Sequence, residues 1–134
     1  MAELFELTGV DTVRQNLERL AARMLQESAV ALQREAKAIY DASQPLVPVD
    51  TGSLRASGRV LDAETLGNIV QSGVLYGVLE GVLGRIPQQY AYIVHQDVTM
   101  RHPRGGQSHF LSGPTFAATS GMLSRIADQL RNAL

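Results

Sequence analysis

The chain has 134 residues and no cysteine, and this absence removes several classes of function at once. Disulfide frameworks, thiolate metal sites and cysteine nucleophiles are all excluded. Aromatic residues are also few, at 5% of the chain. We therefore expect Tyr76, Tyr90 and Tyr92 to fill a core rather than to stack on nucleic-acid bases.

A strong charge of either sign is lacking as well. The 12 basic and 13 acidic residues leave a net charge of −1, so no global field attracts nucleic acid or an anionic membrane. Lys37 is the single lysine, and all other basic residues are arginine. Arginine forms better interface contacts than lysine, but GC-rich coding explains this preference for arginine equally well. Residues 1–6 carry acids and no long apolar run follows, so we expect a soluble protein made in the cytosol, without a signal peptide or membrane span.

A long helical pattern occupies the first third of the chain, which is long enough for one domain over residues 1–134. Its apolar residues recur every three or four positions: Val13, Leu17, Leu20, Met24, Ala31, Leu32, Ala36 and Ile39. We predict a helix over about 11–43, capped by Asp11 or Thr12 and ended by Pro45, with charged residues such as Glu35 on its other faces. At about 45 Å it exceeds what a small domain covers, so part of its stripe should meet another subunit.

Short strands and turns are predicted over about 56–110. The pattern indicates a strand at 56–61, a connection at 62–65 and a second strand at 68–74. Glycine-rich residues 73–89 favour an irregular strand or a protruding loop. Residues 88–96 favour a short helix over a strand, and residues 98–108 a loop. About 114–132 favour a C-terminal helix with Pro114 in its first turn and an apolar stripe that includes Phe116, Leu123 and Leu130.

Residues 48–57 combine Pro, Asp, Gly and Ser, which is the chemistry of a turn. Their core, Asp50-Thr51-Gly52, is also the triplet of aspartic proteases, in which two such carboxylates share a proton. Retropepsin-like enzymes are almost wholly β and carry the triplet early, whereas a long helix precedes it here. We expect a structural turn in which Asp50 accepts from backbone amides, Gly52 takes a positive φ and Arg55 pairs with Asp50 or a neighbouring subunit. A dimeric retropepsin-like protease is the alternative.

Three histidines, His95, His102 and His109, are spaced seven apart, and Pro and Gly residues break any helix that could align them. A zinc site needs close pairs on a rigid element, so we predict loop and surface histidines and no metal. Arg101, His102 and Arg104 form a basic loop that lacks the context of a phosphate-binding loop. We predict that this loop contacts a partner.

Three segments, taken in order, carry a family resemblance. They are residues 48–57 after the long helix, residues 90–95 (Tyr-Ala-Tyr-Ile-Val-His) and residues 110–114 (Phe-Leu-Ser-Gly-Pro). Over nearly its whole length the chain resembles the head–tail joining proteins of tailed bacteriophages, variously called neck, tail-completion or minor capsid proteins. It departs from them in a glycine-rich insertion at 75–89 and in His95-Gln96, where many relatives have Glu and a Gly-Thr turn.

The resemblance implies an α+β subunit, with the long N-terminal helix packed on a small, mainly antiparallel sheet and followed by a C-terminal helix. It implies a ring of six or twelve identical subunits at the head–tail junction of the virion, between portal or head-completion proteins and the tail, after assembly in the host cytoplasm. It implies no catalysis and no cofactor, with room for DNA to pass through the lumen without specific binding. Asp50, Thr51, Gly52 and Arg55 would then orient helix to sheet. A nonviral helical oligomerisation module is a further alternative.

Overall fold

The computed structural model describes residues 6–49, 52–77 and 94–134. Helix α1 spans Val10–Ser43, 34 residues, and is about 51 Å long. Its predicted extent is confirmed to within one residue. Gly9 precedes it as N-cap, with a φ of 85°. The predicted cap at Asp11 or Thr12 is wrong, because Asp11 lies inside the first turn and accepts a hydrogen bond from Arg14 at 2.7 Å.

A 3-10 turn over Gln44–Leu46, which contains Pro45, follows α1 directly. The short helix α2, Ser53–Ala56, comes next. The prediction of a strand beginning at residue 56 is therefore wrong, since Ala56 is the last residue of α2. Its amide donates to the Gly52 carbonyl at 3.0 Å and so belongs to a helical turn rather than to a strand ladder.

The sheet of the described residues has two antiparallel strands, β1 at Arg59–Leu66 and β2 at Ile69–Leu75. The predicted connection at residues 62–65 is wrong: those residues lie in β1, and the reversal occurs one step later, at Gly67 and Asn68. The pairing shifts between Leu61 and Glu64, so that two residues of β1 face one residue of β2. This β-bulge lets β1 continue through a polar stretch that looks like a loop in sequence.

Two helices close the chain, α3 at Ser112–Thr119 and α4 at Met122–Ala133. The prediction of one helix over about 114–132 is wrong in the number of helices, since the segment forms two. Gly121, with a φ of 76°, separates them and is the N-cap of α4. Pro114 lies in the first turn of α3, as predicted. The α+β class, with a long N-terminal helix, an antiparallel sheet and a C-terminal helical segment, is confirmed.

The hydrophobic core lies at the C-terminal end of α1, where the chain after α1 meets α2, the end of β2 and the region before α3. Five side chains form it: Val47, Leu54, Tyr76, Val94 and Phe110. Tyr76 stacks at 6.3 Å on Tyr40 and meets Phe110 edge to face at 5.3 Å, both between ring centroids. The core position predicted for Tyr76 is thus confirmed, while Tyr90 and Tyr92 lie outside the described residues.

Most of the glycine-rich segment 73–89 and of residues 88–96 also lies outside the described residues. In the described parts of these two segments, residues 73–75 end β2 and residues 94–96 are helical. Residues 98–108 contain neither helix nor strand, as predicted. In the part of the chain that the structure describes, no helix has the length and apolarity needed to cross a membrane.

Candidate functional site

The turn after α1 is held by backbone and side-chain hydrogen bonds. Gly52 has a φ of 84°, the positive value expected for it, which glycine adopts without steric cost. Asp50 and Thr51 lie outside the described residues, so their part in the turn stays a prediction. The structure therefore supports the turn geometry at Gly52 and gives no carboxylate geometry for the protease alternative.

Arg55 connects α2 to the end of α1. Its Nη2 donates to the Val47 carbonyl at 3.0 Å, and its own carbonyl accepts from Gln44 Nε2 at 3.2 Å. Its Nε is buried and has no hydrogen-bond partner among the described residues. The predicted pairing with Asp50 falls outside those residues. The contacts to Val47 and Gln44 are consistent with the predicted role in orienting the helix.

Ser57 is a second connector, to which the sequence pattern assigned no separate role. It is 3% exposed. Its Oγ donates to the Leu54 carbonyl at 2.5 Å and accepts from the Gly77 amide at 2.8 Å. The hydroxyl thus satisfies a backbone donor at the end of the sheet as well as an acceptor in α2, which fixes the sheet against α2.

The basic loop is docked on the chain segment that follows α1. The Gln107 amide donates to the Leu46 carbonyl at 2.8 Å. The structure brings Arg101, His102 and Arg104 together on one wall of a pocket of about 330 Å³, which is also lined by Pro48 and Val49. The loop and the predicted structural turn are therefore neighbours. This placement is compatible with the predicted partner contact, which stays a prediction.

Two of the three histidines form a contact that the spacing did not predict. The rings of His95 and His109 lie 5.3 Å apart, and His95 packs edge to face on Phe110 at 5.0 Å. The Ser112 amide donates to His95 Nε2 at 3.2 Å. Burial, and next the charge of His109, hold the pKa of His95 below its ordinary value. The prediction of loop and surface histidines is wrong for His95, which lies in a helical turn and is half-buried against the start of α3. His102 lies in a loop as predicted but is half-buried as well.

An ion pair links α1 to α4. Glu35, which is 8% exposed, accepts from Arg125 Nε and Nη2, each at 2.8 Å. Hydrogen bonding to Arg125 lowers the pKa of Glu35 against the opposing effect of burial. Arg125 also donates to the carbonyls of Ala118 at 2.7 Å and Ser120 at 3.1 Å, the backbone groups left open between α3 and α4. The prediction that Glu35 lies on a solvent face is wrong.

The first half of α1 presents an uncovered apolar stripe. Residues 6–24 are all exposed. The stripe consists of five side chains at alternating spacings of three and four: Val10, Val13, Leu17, Leu20 and Met24, which are 52%, 58%, 59%, 41% and 44% exposed. Arg23 Nη2 donates to the Ala133 carbonyl at 2.6 Å, so α4 ends beside residue 23 of α1. The stripe thus begins where the cover from α4 ends.

A second apolar patch lies on α3 and α4. Phe116 is 77% exposed and Leu123 is 82% exposed. Residues 112–124, which surround them, include no charged side chain. Such charge depletion is typical of the centre of a protein interface rather than of a solvated surface. The apolar spacing predicted Phe116 and Leu123 on one stripe of a single continuous helix, so their exposure on two separate helices was not expected from the sequence.

Within the described ranges, no three His, Cys, Asp or Glu side chains are grouped closely enough to hold a metal ion. Comparison with family models, curated proteins and solved structures found nothing that matches the chain.

Proposed function

We propose that this chain is a structural assembly protein of a tailed phage, forming a homo-oligomeric ring of six or twelve subunits at the head–tail junction of the virion. It would act as a neck or tail-completion protein between portal or head-completion proteins and tail proteins. The identity of the particle rests on the resemblance of residues 48–57, 90–95 and 110–114 to the head–tail joining family. The proposal assigns the chain no catalytic step.

The uncovered stripe of α1 is the observation that carries the assembly role. Burial of apolar surface stabilises a complex by about 25 cal/mol per Å², so a row of exposed Val, Leu and Met side chains favours association. Single exposed apolar residues are ordinary, but contiguous patches mark interaction sites. The stripe projects beyond the core and beyond α4, so a second subunit can reach it without displacing either.

The charge of the chain bears on what passes through the ring. With a net charge of −1, the chain has no excess of cations with which to neutralise phosphates. Arg14 is paired with Asp11 at 2.7 Å, and Arg125 with Glu35 at 2.8 Å. DNA would therefore pass through the lumen without specific binding.

Native mass spectrometry and negative-stain electron microscopy test the ring. The wild type is expected to give six- or twelve-membered rings, and Leu17→Glu to give free subunits, because a buried carboxylate would be desolvated in the interface. Leu66→Glu is the matched control, since Leu66 is 55% exposed against 59% for Leu17 and lies at the hairpin end of β1. A wild-type chain that stays monomeric when concentrated, and when portal and tail proteins are added, would overturn the proposal.

Antibody labelling of tailed particles tests the location. Label confined to the junction of head and tail supports the neck or tail-completion role. Label distributed over the capsid shell, or absent from finished particles, contradicts it.

The protease alternative has its own test. Asp50→Asn removes the carboxylate that an aspartic protease requires. Peptide cleavage at acid pH by the wild type, abolished in this variant, would replace the structural proposal. The structural proposal expects no cleavage by either protein, and rings of unchanged size unless the turn is disturbed.

A further inference from the structure

We propose that Phe116 of one subunit packs into the apolar groove at the start of α1 in a neighbouring copy of the chain. This contact would be the repeating joint of the ring, and the inference rests on the proposed ring. The contact would cover both exposed apolar surfaces of the subunit, the groove of one copy and the Phe116 patch of the next.

The groove lies where the chain enters α1. Residues 7–9 line the groove together with the first turns of the helix, and Gly9, the N-cap, has a positive φ of 85°. Leu7 is 82% exposed and faces the groove together with Val10, Val13 and Leu17. The groove measures about 720 Å³, which is more than one aliphatic side chain fills. A groove of this size and lining suits an aromatic ring with apolar neighbours.

Phe116 supplies a matching projection. It stands on the outer face of α3, and the helix beneath it is built of small residues around Ala117. Exposed aromatic side chains are frequent anchors of protein interfaces, because they bury a large area while losing little rotational freedom. Leu123, at the start of α4, is a second exposed apolar side chain in the same uncharged segment of the chain.

The two surfaces cannot meet within one subunit. The Glu35–Arg125 ion pair, at 2.8 Å, holds the junction of α3 and α4 against the middle of α1. Val13 lies about 33 Å from Glu35 along the helix axis, at about 1.5 Å per residue. Both surfaces remain exposed as a result, and only another copy can bring Phe116 to the groove.

Charge and symmetry favour a copy of this chain as the occupant. Residues 112–124 carry no charge, and at the groove Arg14 is already paired with Asp11, which leaves Glu18 as the other charged residue of the lining. The contact therefore leaves no cation of the groove without its partner. Two different patches on the same chain form a heterologous contact, the type that generates closed rings. Pairing of the α1 stripe with the same stripe of a second copy would be isologous, would give dimers and would leave Phe116 exposed.

Disulfide crosslinking separates these arrangements, because the natural chain has no cysteine to interfere. Val13→Cys and Phe116→Cys variants, mixed and mildly oxidised, are expected to form a crosslinked heterodimer. A single chain carrying both substitutions should give a ladder that ends at the ring size. Ile69→Cys replaces Phe116→Cys in the control mixture, since Ile69 is 62% exposed and lies at the hairpin. The control should crosslink only at the background level.

The outcomes divide cleanly. A homodimer formed by Val13→Cys alone would show the isologous pairing and overturn the inference. Intact rings in mass spectrometry without a Val13–Phe116 crosslink would overturn the inference and leave the ring proposal standing. Monomers at every concentration would overturn both.

A binding measurement gives the same test without crosslinks. Phe116→Asp should weaken subunit association about thirtyfold, as expected for loss of an interface anchor. Leu66→Asp should change it by no more than about twofold. Because Phe116 is exposed, both variants should keep the wild-type melting curve when dissociated. Equal affinities for Phe116→Asp and the wild type would exclude the contact.

Discussion

Residues 10–24 and 25–43 belong to one uninterrupted helix with the same apolar spacing of three and four. The first half is exposed to solvent, whereas the second half is covered by the rest of the subunit. Every buried residue of α1 lies in the second half: Ala31, Glu35, Ala36 and Ser43. None lies in the first half, although its stripe includes large side chains such as Leu17, Leu20 and Met24. The comparison shows that helical periodicity specifies which face is apolar but leaves open what covers it.

The side chains of the two halves fit these different surroundings. Ala31, Ala36 and Ser43 are small, so the sheet, α4 and the core can approach the helix closely. Ser43 also shares a hydrogen bond with the Tyr76 hydroxyl at 2.6 Å. Leu17, Leu20 and Met24 are long instead, which suits a surface that another subunit fills. The covered half thus carries the contacts that hold the subunit together, and the uncovered half is the surface that we propose for assembly.

The largest expected difference between the halves concerns unfolding. Phe110→Ala, in the core at the end of the covered half, should lower the free energy of unfolding by about 3–5 kcal/mol, because it leaves a cavity beside Tyr76. Leu17→Ala in the uncovered half should change it by no more than about 0.5 kcal/mol. Urea denaturation at concentrations that keep subunits apart measures both. Similar losses for both variants would mean that the first half is covered within the subunit.

A glycine pair probes the segment that follows the covered half. A Cβ at Gly106 would overlap backbone atoms of Pro48 and Val47, whereas one at Gly105 would meet open space, and both residues have positive φ. Gly106→Ala should therefore cost about 2–4 kcal/mol from overlap and backbone strain, and Gly105→Ala only about 1–2 kcal/mol from strain. Thermal melting compares them. Equal costs would contradict the docking of the basic loop on the segment after α1.

Acid pH should weaken the covered half through Glu35. Hydrogen bonding to Arg125 holds the pKa of Glu35 below its ordinary value of 4.5. The unfolded chain therefore binds the proton first, so this stabilisation is present above pH 4.5 and is lost as pH falls through the lower pKa of the folded state. Melting temperature below pH 4.5 should fall less for Glu35→Gln than for the wild type. Glu18→Gln, the same change in the uncovered half, should leave the wild-type slope, and identical slopes for both variants would refute the prediction.

The smallest effect is expected at His95, beyond the end of the covered half. Its pKa lies below its ordinary value of 6.5, first because of burial and next because of His109. The unfolded chain again binds the proton first, so stability is unaffected above pH 6.5 and falls as pH decreases toward the lower folded-state pKa. The Gln side chain of His95→Gln can still accept a hydrogen bond from the Ser112 amide but does not titrate. This variant should therefore show a smaller change in melting temperature between about pH 7 and pH 5 than the wild type. If the melting temperature of the variant changed with pH as steeply as that of the wild type, His95 would be excluded as the source of this pH dependence.

Prediction from sequence succeeded where structure depends on near neighbours in the chain. The extent of α1 follows from a regular stripe with no Gly or Pro before Pro45. It failed at the hairpin, where the polar residues Asp62 and Glu64 suggested a loop although the bulge keeps β1 going to Gly67. It failed again at Gly121, which divides the C-terminal segment although the apolar pattern of the two helices appears continuous.

The exposed apolar surfaces were predicted only in part from the sequence. The excess length of α1 predicted a stripe that the subunit leaves partly uncovered, and its first half is exposed; contact with another subunit stays a prediction. Phe116 was assigned to the apolar stripe of a single C-terminal helix. Gly121 instead divides that segment into α3 and α4, and Phe116 is 77% exposed. Glu35 looked like a solvent residue, since its partner Arg125 lies 90 residues away.

By itself the sequence determined the α+β class, the long helix and its end, and the positive φ at Gly52, because helical hydrogen bonds and glycine torsions are local. Only the tertiary structure decided which half of α1 is covered, that Glu35 meets Arg125 at 2.8 Å, and that Phe116 stays outside the core. Those outcomes depend on contacts between distant parts of the chain, which no local pattern encodes.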